Sequence, residues 1–178
     1  MNKTLSGLVC AGLLAVPFAS LSAQAVTDAQ IASIVVTANT VDIDAGKLAE
    51  SKATDPQVKA FGRQMVTAHM GVNKSATELV TKLKVTPEDN ATSMSLKSGG
   101  EKNVRSLEQL NGAAFDKAYI DHEVAYHEQV LDAVDKTLIP GARNAELKAL
   151  LVKVRPAFVA HLEHAKHLQS SMSKSMSK

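Results

Sequence analysis

The sequence predicts an all-α fold of four long helices, two antiparallel hairpins joined by a long crossover that contains a short helix. Three observations predict it. Apolar residues recur at helical spacing through four long stretches, the signature of amphipathic helices. The intervals between those stretches are short, long and short, which is the connectivity of two hairpins and a crossover. Trp is absent and aromatics are 3% of the chain, so the core is built from aliphatic side chains that suit helix packing. A chain of 178 residues, 45% hydrophobic and 21% charged, fits one globular domain.

The first 25 residues stand apart from that domain. Lys3 supplies a positive start, residues 5–19 an apolar run, and Ala23-Gln24-Ala25 a small-x-small cleavage site. The run is too short to span a bilayer. Val9 before Cys10 is a poor match to a lipid-attachment site, so cleavage after Ala25 and a periplasmic mature protein are expected. Cleavage removes the one cysteine, which excludes disulfides, thiol nucleophiles and sulfur ligands from the mature chain. It takes Lys3 and no acid, leaving one base fewer than the original 20 against 18 acids. That balance argues against a nucleic-acid partner.

The first helix, capped by Thr27 or Asp28, is expected to run to Lys52. Its stripe holds Ile31, Ile34, Val35, Ala38, Val41, Ala45, Leu48 and Ala49, and Asp42 projects inside it. An unpaired carboxylate there is costly. Asp55 and Pro56 cap and start a second helix over 56–84, with Phe61, Met65 and Ala76 inward and His69 among them. Residues 85–112 form the crossover. Gly99-Gly100 reads as a flexible break and 101–110 as a short helix.

The third long helix, over 113–138, turns Phe115, Tyr119, Tyr126 and Val130 inward. Glu123 falls within that stripe, with His127 and His122 at its opposite borders. Ile139-Pro140-Gly141 ends it. Asn144 caps the last helix, expected over 145–169, with His161 central among Leu151, Phe158, Leu162 and Leu168. Pro156 points away from the stripe and predicts a bow rather than a break. The Ser/Lys/Met tail, 170–178, is expected to be disordered. The domain then spans 26–169.

With the second and third long helices parallel, Asp42, His69, Glu123, His127 and His161 fall at similar depths. Their depths differ by about five residues, or roughly 8 Å at ~1.5 Å per residue. The set suits a divalent transition metal, Zn, Fe, Mn or Cu, held by nitrogen and oxygen. It equally suits a polar network in a metal-free bundle that binds a partner protein or a second copy of itself. His122 and His127 lie about 140° apart at ~100° per residue. They therefore cannot clasp one ion in the manner of His-Glu-x-x-His. No phosphate loop or nucleophile supports an enzyme reading.

Met65-Val66-Thr67-Ala68-His69, Phe115-Asp116-Lys117-Ala118-Tyr119, His122-Glu123-Val124-Ala125-Tyr126-His127 and Pro156-Ala157-Phe158-Val159-Ala160-His161 resemble an exported bacterial family, domain-of-unknown-function family 4142. Ala45-Gly46-Lys47-Leu48-Ala49 fits it as well. The resemblance covers about 28–169 and implies a ferritin-like four-helix bundle in the periplasm. It implies no activity. Relatives usually carry Glu where this chain has Asp42, and Asp where it has Ala68. The Glu-x-x-His pairs of ferritin-like di-iron proteins are missing, since Val66, Val124 and Phe158 stand three residues before the histidines.

The exported protein should begin at Val26. Its intact mass after secretion checks this, and a mass that retains Cys10 with acyl chains would contradict it.

Overall fold

The computed structural model describes residues 26–176; the segment 1–25, with its predicted cleavage site, lies outside them. The described residues are helical throughout, with no strand among them. The order is α1 (Asp28–Lys52), α2 (Pro56–Leu83), α3 (Ala91–Glu108), α4 (Gly112–Ala133), a π turn (Val134–Leu138), a one-turn α5 (Ile139–Gly141) and α6 (Ala145–Met176). Among the described residues no helix is long and apolar enough to cross a membrane.

The caps are those the sequence supplies. Thr27 and Gln30 form a reciprocal capping box at α1, and Asp55 accepts from the Gln57 amide with Pro56 in the first turn of α2. Asn144 Oδ1 accepts from the amides of Glu146 and Leu147 at 2.9 and 3.1 Å. Two carboxylates clamp the ends of the helices together. Asp28 accepts from the amides of Arg143 and Asn144. Asp116, buried at the start of α4, takes the Thr54 amide and hydroxyl and the Asp55 amide at 3.0, 2.6 and 2.9 Å.

The crossover differs from expectation. One 18-residue helix, α3, runs straight through Gly99-Gly100, where a break and a later short helix were predicted. Asn90 and Ser93 start it with a capping box, and Asp89 ties its entrance to Ser33 of α1. Gly100 is there for approach rather than flexibility. A Cβ at that position would come within 2.5 Å of a Val41 methyl on α1. A glycine in a helix interior loses ~0.5–1 kcal/mol against alanine, and close packing on α1 offsets this. Gly46 and Gly62 let α1 and α2 touch in the same way, each with a Cβ position 2.9 Å from the other's carbonyl oxygen.

Two further differences concern α4 and α6. Pro140 has no amide proton, so the ladder before it loses a regular bond. The chain answers with the π turn, in which the Ile139 amide reaches Val134. Val134 and Leu138 both face the core. At the far end α6 continues to Met176, where a disordered tail from residue 170 was expected. Nothing after Leu168 breaks a helix, and Met172 packs partly against the core.

The core has two apolar clusters. One contains Ala45, Ala49, Phe61, Met65, Leu107, Phe115, Tyr119 and Ala165. The other contains Ile31, Ile34, Ala76, Val134, Leu138, Leu151 and Phe158. Between the residues that α1, α2, α4 and α6 give to each cluster lie Asp42, His69, Glu123, His127 and His161.

The two neighbouring glycines of α3 should respond oppositely to alanine. Gly99→Ala, with nothing within 4 Å of the new Cβ, gains helix propensity and stabilises by ~0.5–1 kcal/mol. Gly100→Ala must displace Val41 and should destabilise by ~1–2 kcal/mol, because overpacking outweighs propensity. Urea denaturation of both variants checks the signs, and equal effects would contradict the packing account.

Candidate metal centre

All five residues singled out on the sequence come together. Asp42, His69, Glu123, His127 and His161 are buried, none more than 4% exposed. The imidazoles of His69, His127 and His161 form a near-equilateral triangle with centroids 5.8, 5.3 and 5.6 Å apart. One nitrogen from each lies within 4.8 Å of the other two. Asp42, Glu123 and His127 make a second trio by the same measure, so His127 is common to both.

The tautomers are fixed from outside. Asn39 Nδ2 donates to the Val35 carbonyl at 2.8 Å, which leaves Asn39 Oδ1 to accept from His69 Nδ1–H at 2.6 Å. His127 Nδ1–H donates to the Glu123 carbonyl oxygen at 2.9 Å. Both rings therefore present an unprotonated Nε2 to the layer, as a metal-ligating imidazole does when an outer partner holds its other nitrogen. Neither Nε2 has a hydrogen-bond partner among the described residues, and His161 Nδ1 has none either. His69 Nε2 lies 3.4 Å from Asp42 Oδ2 without a hydrogen bond of ordinary angle.

Electrostatics reinforce this. Burial, then the neighbouring charges of His127 and His161, push His69 down to about 3. Burial dominates at His127 and His161 too, and each falls to about 4. The three rings are neutral across the physiological range. Burial raises Asp42 well above the carboxylate range. Glu123 is raised by burial, then by the charge of Asp42 and by interaction with the Asp42 carboxyl itself, with the Tyr119 hydroxyl acting in the other direction. Asp42 Oδ1 and both Glu123 oxygens lack a hydrogen bond of ordinary length and angle. In contrast, Asp116 is equally buried and accepts three hydrogen bonds.

The remaining histidines stand outside the layer. His122 is half-buried and stacks on Tyr126 with ring centroids 5.5 Å apart. His164 is exposed, bonded to Gln64 and edge-on to Phe61; His167 is exposed. Sequence reasoning missed Asn39. It lies one helical turn before Asp42 on the inward face of α1, so a second polar residue in that stripe was the available signal. Phe158 also supports the site, stacked on His69 at 5.4 Å.

The family model for the domain of unknown function DUF4142 matches residues 15–168, and the chain belongs to that family. No curated protein and no solved structure matches the chain.

Without added metal, stability should peak near neutral pH. Unfolded histidines titrate near ~6.5, while the native layer keeps its three neutral. The unfolded chain then takes up the extra protons as pH falls from ~6.5 toward 4, and stability is lost across that window. The carboxyls act oppositely. Their stabilising share is present at low pH and is lost as pH climbs from ~4 through their raised native values. Melting in chelator at pH 5, 6.5 and 8 checks this. Glu123→Gln should flatten the alkaline limb and steepen the acid one, because the carboxyl opposes the histidines between pH ~4 and ~6.5. Stability of Glu123→Gln that stays level from pH ~4.5 to ~6.5 would contradict neutral buried histidines.

Proposed function

We propose that this member of the DUF4142 family is an exported, ferritin-like four-helix bundle that binds a divalent transition metal inside its core. His69, His127 and His161 are the nitrogen ligands, with Asp42 and Glu123 beside them. One observation carries the reading: buried imidazole nitrogens on three helices converge without partners, and Asn39 and the Glu123 carbonyl hold two of the rings in the ligating tautomer. A layer built only for hydrogen bonding would match these lone pairs with donors, as Asp116 is matched.

The order of the clusters along the chain supports the bundle. Going forward, α1 passes from Ile31 and Ile34 to Ala45 and Ala49, whereas α2 passes from Phe61 and Met65 to Ala76. Likewise α4 and the π turn after it go from Phe115 to Val134, and α6 returns from Leu151 to Ala165. That sequence is the one expected of two antiparallel hairpins with α2 and α4 parallel. The Ala23-Gln24-Ala25 site supports export.

Nitrogen trios suit Zn or Cu, and the adjoining carboxyls widen the choice to Fe and Mn. A dication would reverse the local preference for neutral groups and draw protons from Asp42 and Glu123 as it bound. The chemistry such an ion supplies when bound is charge neutralisation and polarisation of a ligand. The chain's own part is to orient three imidazoles and keep water away.

Untagged mature protein purified without chelator should carry about one transition-metal ion per chain. At a thousand-fold excess over Kd the ion should add ~4 kcal/mol of stability, or roughly 10 °C in Tm for a chain of this size. His69→Ala or His161→Ala should abolish that shift, and His167→Ala should not. A metal-free isolate whose melt is the same with each ion and with chelator would establish the partner-binding, metal-free bundle instead.

A further inference from the structure

One cavity adjoins the layer and is not part of it. It has a volume of about 70 Å³ and lies on the side of the π turn, walled by Ile34, Val134, Leu138, Leu151 and Phe158. That exceeds the ~10–15 Å³ a single water needs, in a core where voids of this size are few. Its polar edge toward the layer is Asn39, Asp42 and His69, and Thr92 and Gln129 also line it. The cavity therefore touches a member of each ligand trio. The π turn forms part of its wall, and such turns concentrate at functional sites because they re-aim a helix face.

The cavity shares a wall with an outer groove. Thr92, Leu96 and Gln129 line it, and the same three residues line a groove of about 490 Å³ between α3 and α4. Thr92 and Gln129 are exposed, and Leu96 is half-buried between them. His122 and Tyr126 line that outer groove.

We propose that this cavity receives a small linear ligand of two or three heavy atoms, which lies along the apolar wall and ends on the ion at the His69–Asp42 edge. The proposal rests on the metal reading above. The volume, about five times what one water needs, limits the ligand to a handful of atoms, and a short linear one fits within it. The apolar wall favours a polarisable body over a hydrated one, and the polar edge on the layer side receives its donor end. The side chains of Thr92, Leu96 and Gln129, shared with the groove between α3 and α4, are the ones the ligand would pass.

Azide is the probe. The mature protein loaded with Cu(II) should develop a saturable azide-to-copper charge-transfer band. Ala133→Leu places bulk in the cavity from α4 while leaving every proposed ligand in place. It should keep the copper stoichiometry and weaken azide at least tenfold, whereas the exposed Val152→Leu should change neither. Where Ala133→Leu does not fold, as judged by circular dichroism, Val134→Ile makes a smaller intrusion and should weaken azide several-fold. Azide affinity unchanged in the filled variants, or copper bound with no azide band, overturns this proposal alone. A protein that takes up no copper overturns the metal reading and this proposal with it.

Discussion

Five ionisable side chains share one level of the core, and the rest of the architecture follows from having to place them there. Desolvating an ion is costly enough that a buried group gives up its charge unless something compensates. The histidines respond by staying neutral and the carboxyls by holding protons. Neutrality removes the charge but leaves a buried nitrogen of each of His69, His127 and His161 without a hydrogen bond, although two protonated carboxyls stand beside them. Such groups ordinarily cost ~1–3 kcal/mol each. That cost is the physical reason for assigning them a ligand.

The same chain shows what a purely structural buried carboxylate looks like. Asp116 is 2% exposed and accepts three hydrogen bonds that lock the α1–α2 turn to α4. Asp42 and Glu123 are buried to the same degree but meet no such set of donors: Asp42 Oδ1 and both Glu123 oxygens have no hydrogen bond of ordinary geometry, and the two carboxyls act chiefly on each other. Two apolar clusters hold the layer from both sides, and reciprocal glycines bring α1 and α2 into contact near it. Rigid helices rather than loops carry the side chains, which limits how far each can wander from its neighbours.

Much of this was legible in the sequence. Helical phase identified Asp42, His69, Glu123, His127 and His161 as inward, and counting depth from one end brought them to one level. Both arguments need only the period and rise of a helix. Less legible were features set by tertiary contact. Gly99-Gly100 has the local signature of a break, yet packing of Gly100 on Val41 carries α3 through it. The π turn is a response to Pro140 that phase counting cannot represent, since it shifts the register by a residue. Asn39 escaped notice because its role depends on the particular nitrogen of His69 that it meets.

The central claim is that the imidazole lone pairs converge on an ion. Anomalous diffraction from crystals of the mature protein grown with zinc, recorded on both sides of the absorption edge, tests it most directly. The account predicts one strong peak enclosed by His69 Nε2, His127 Nε2 and a nitrogen of His161, at about 2.0–2.1 Å from each. Zinc found only at exposed His164 or His167, with density among the three buried rings that does not change across the edge, would contradict it.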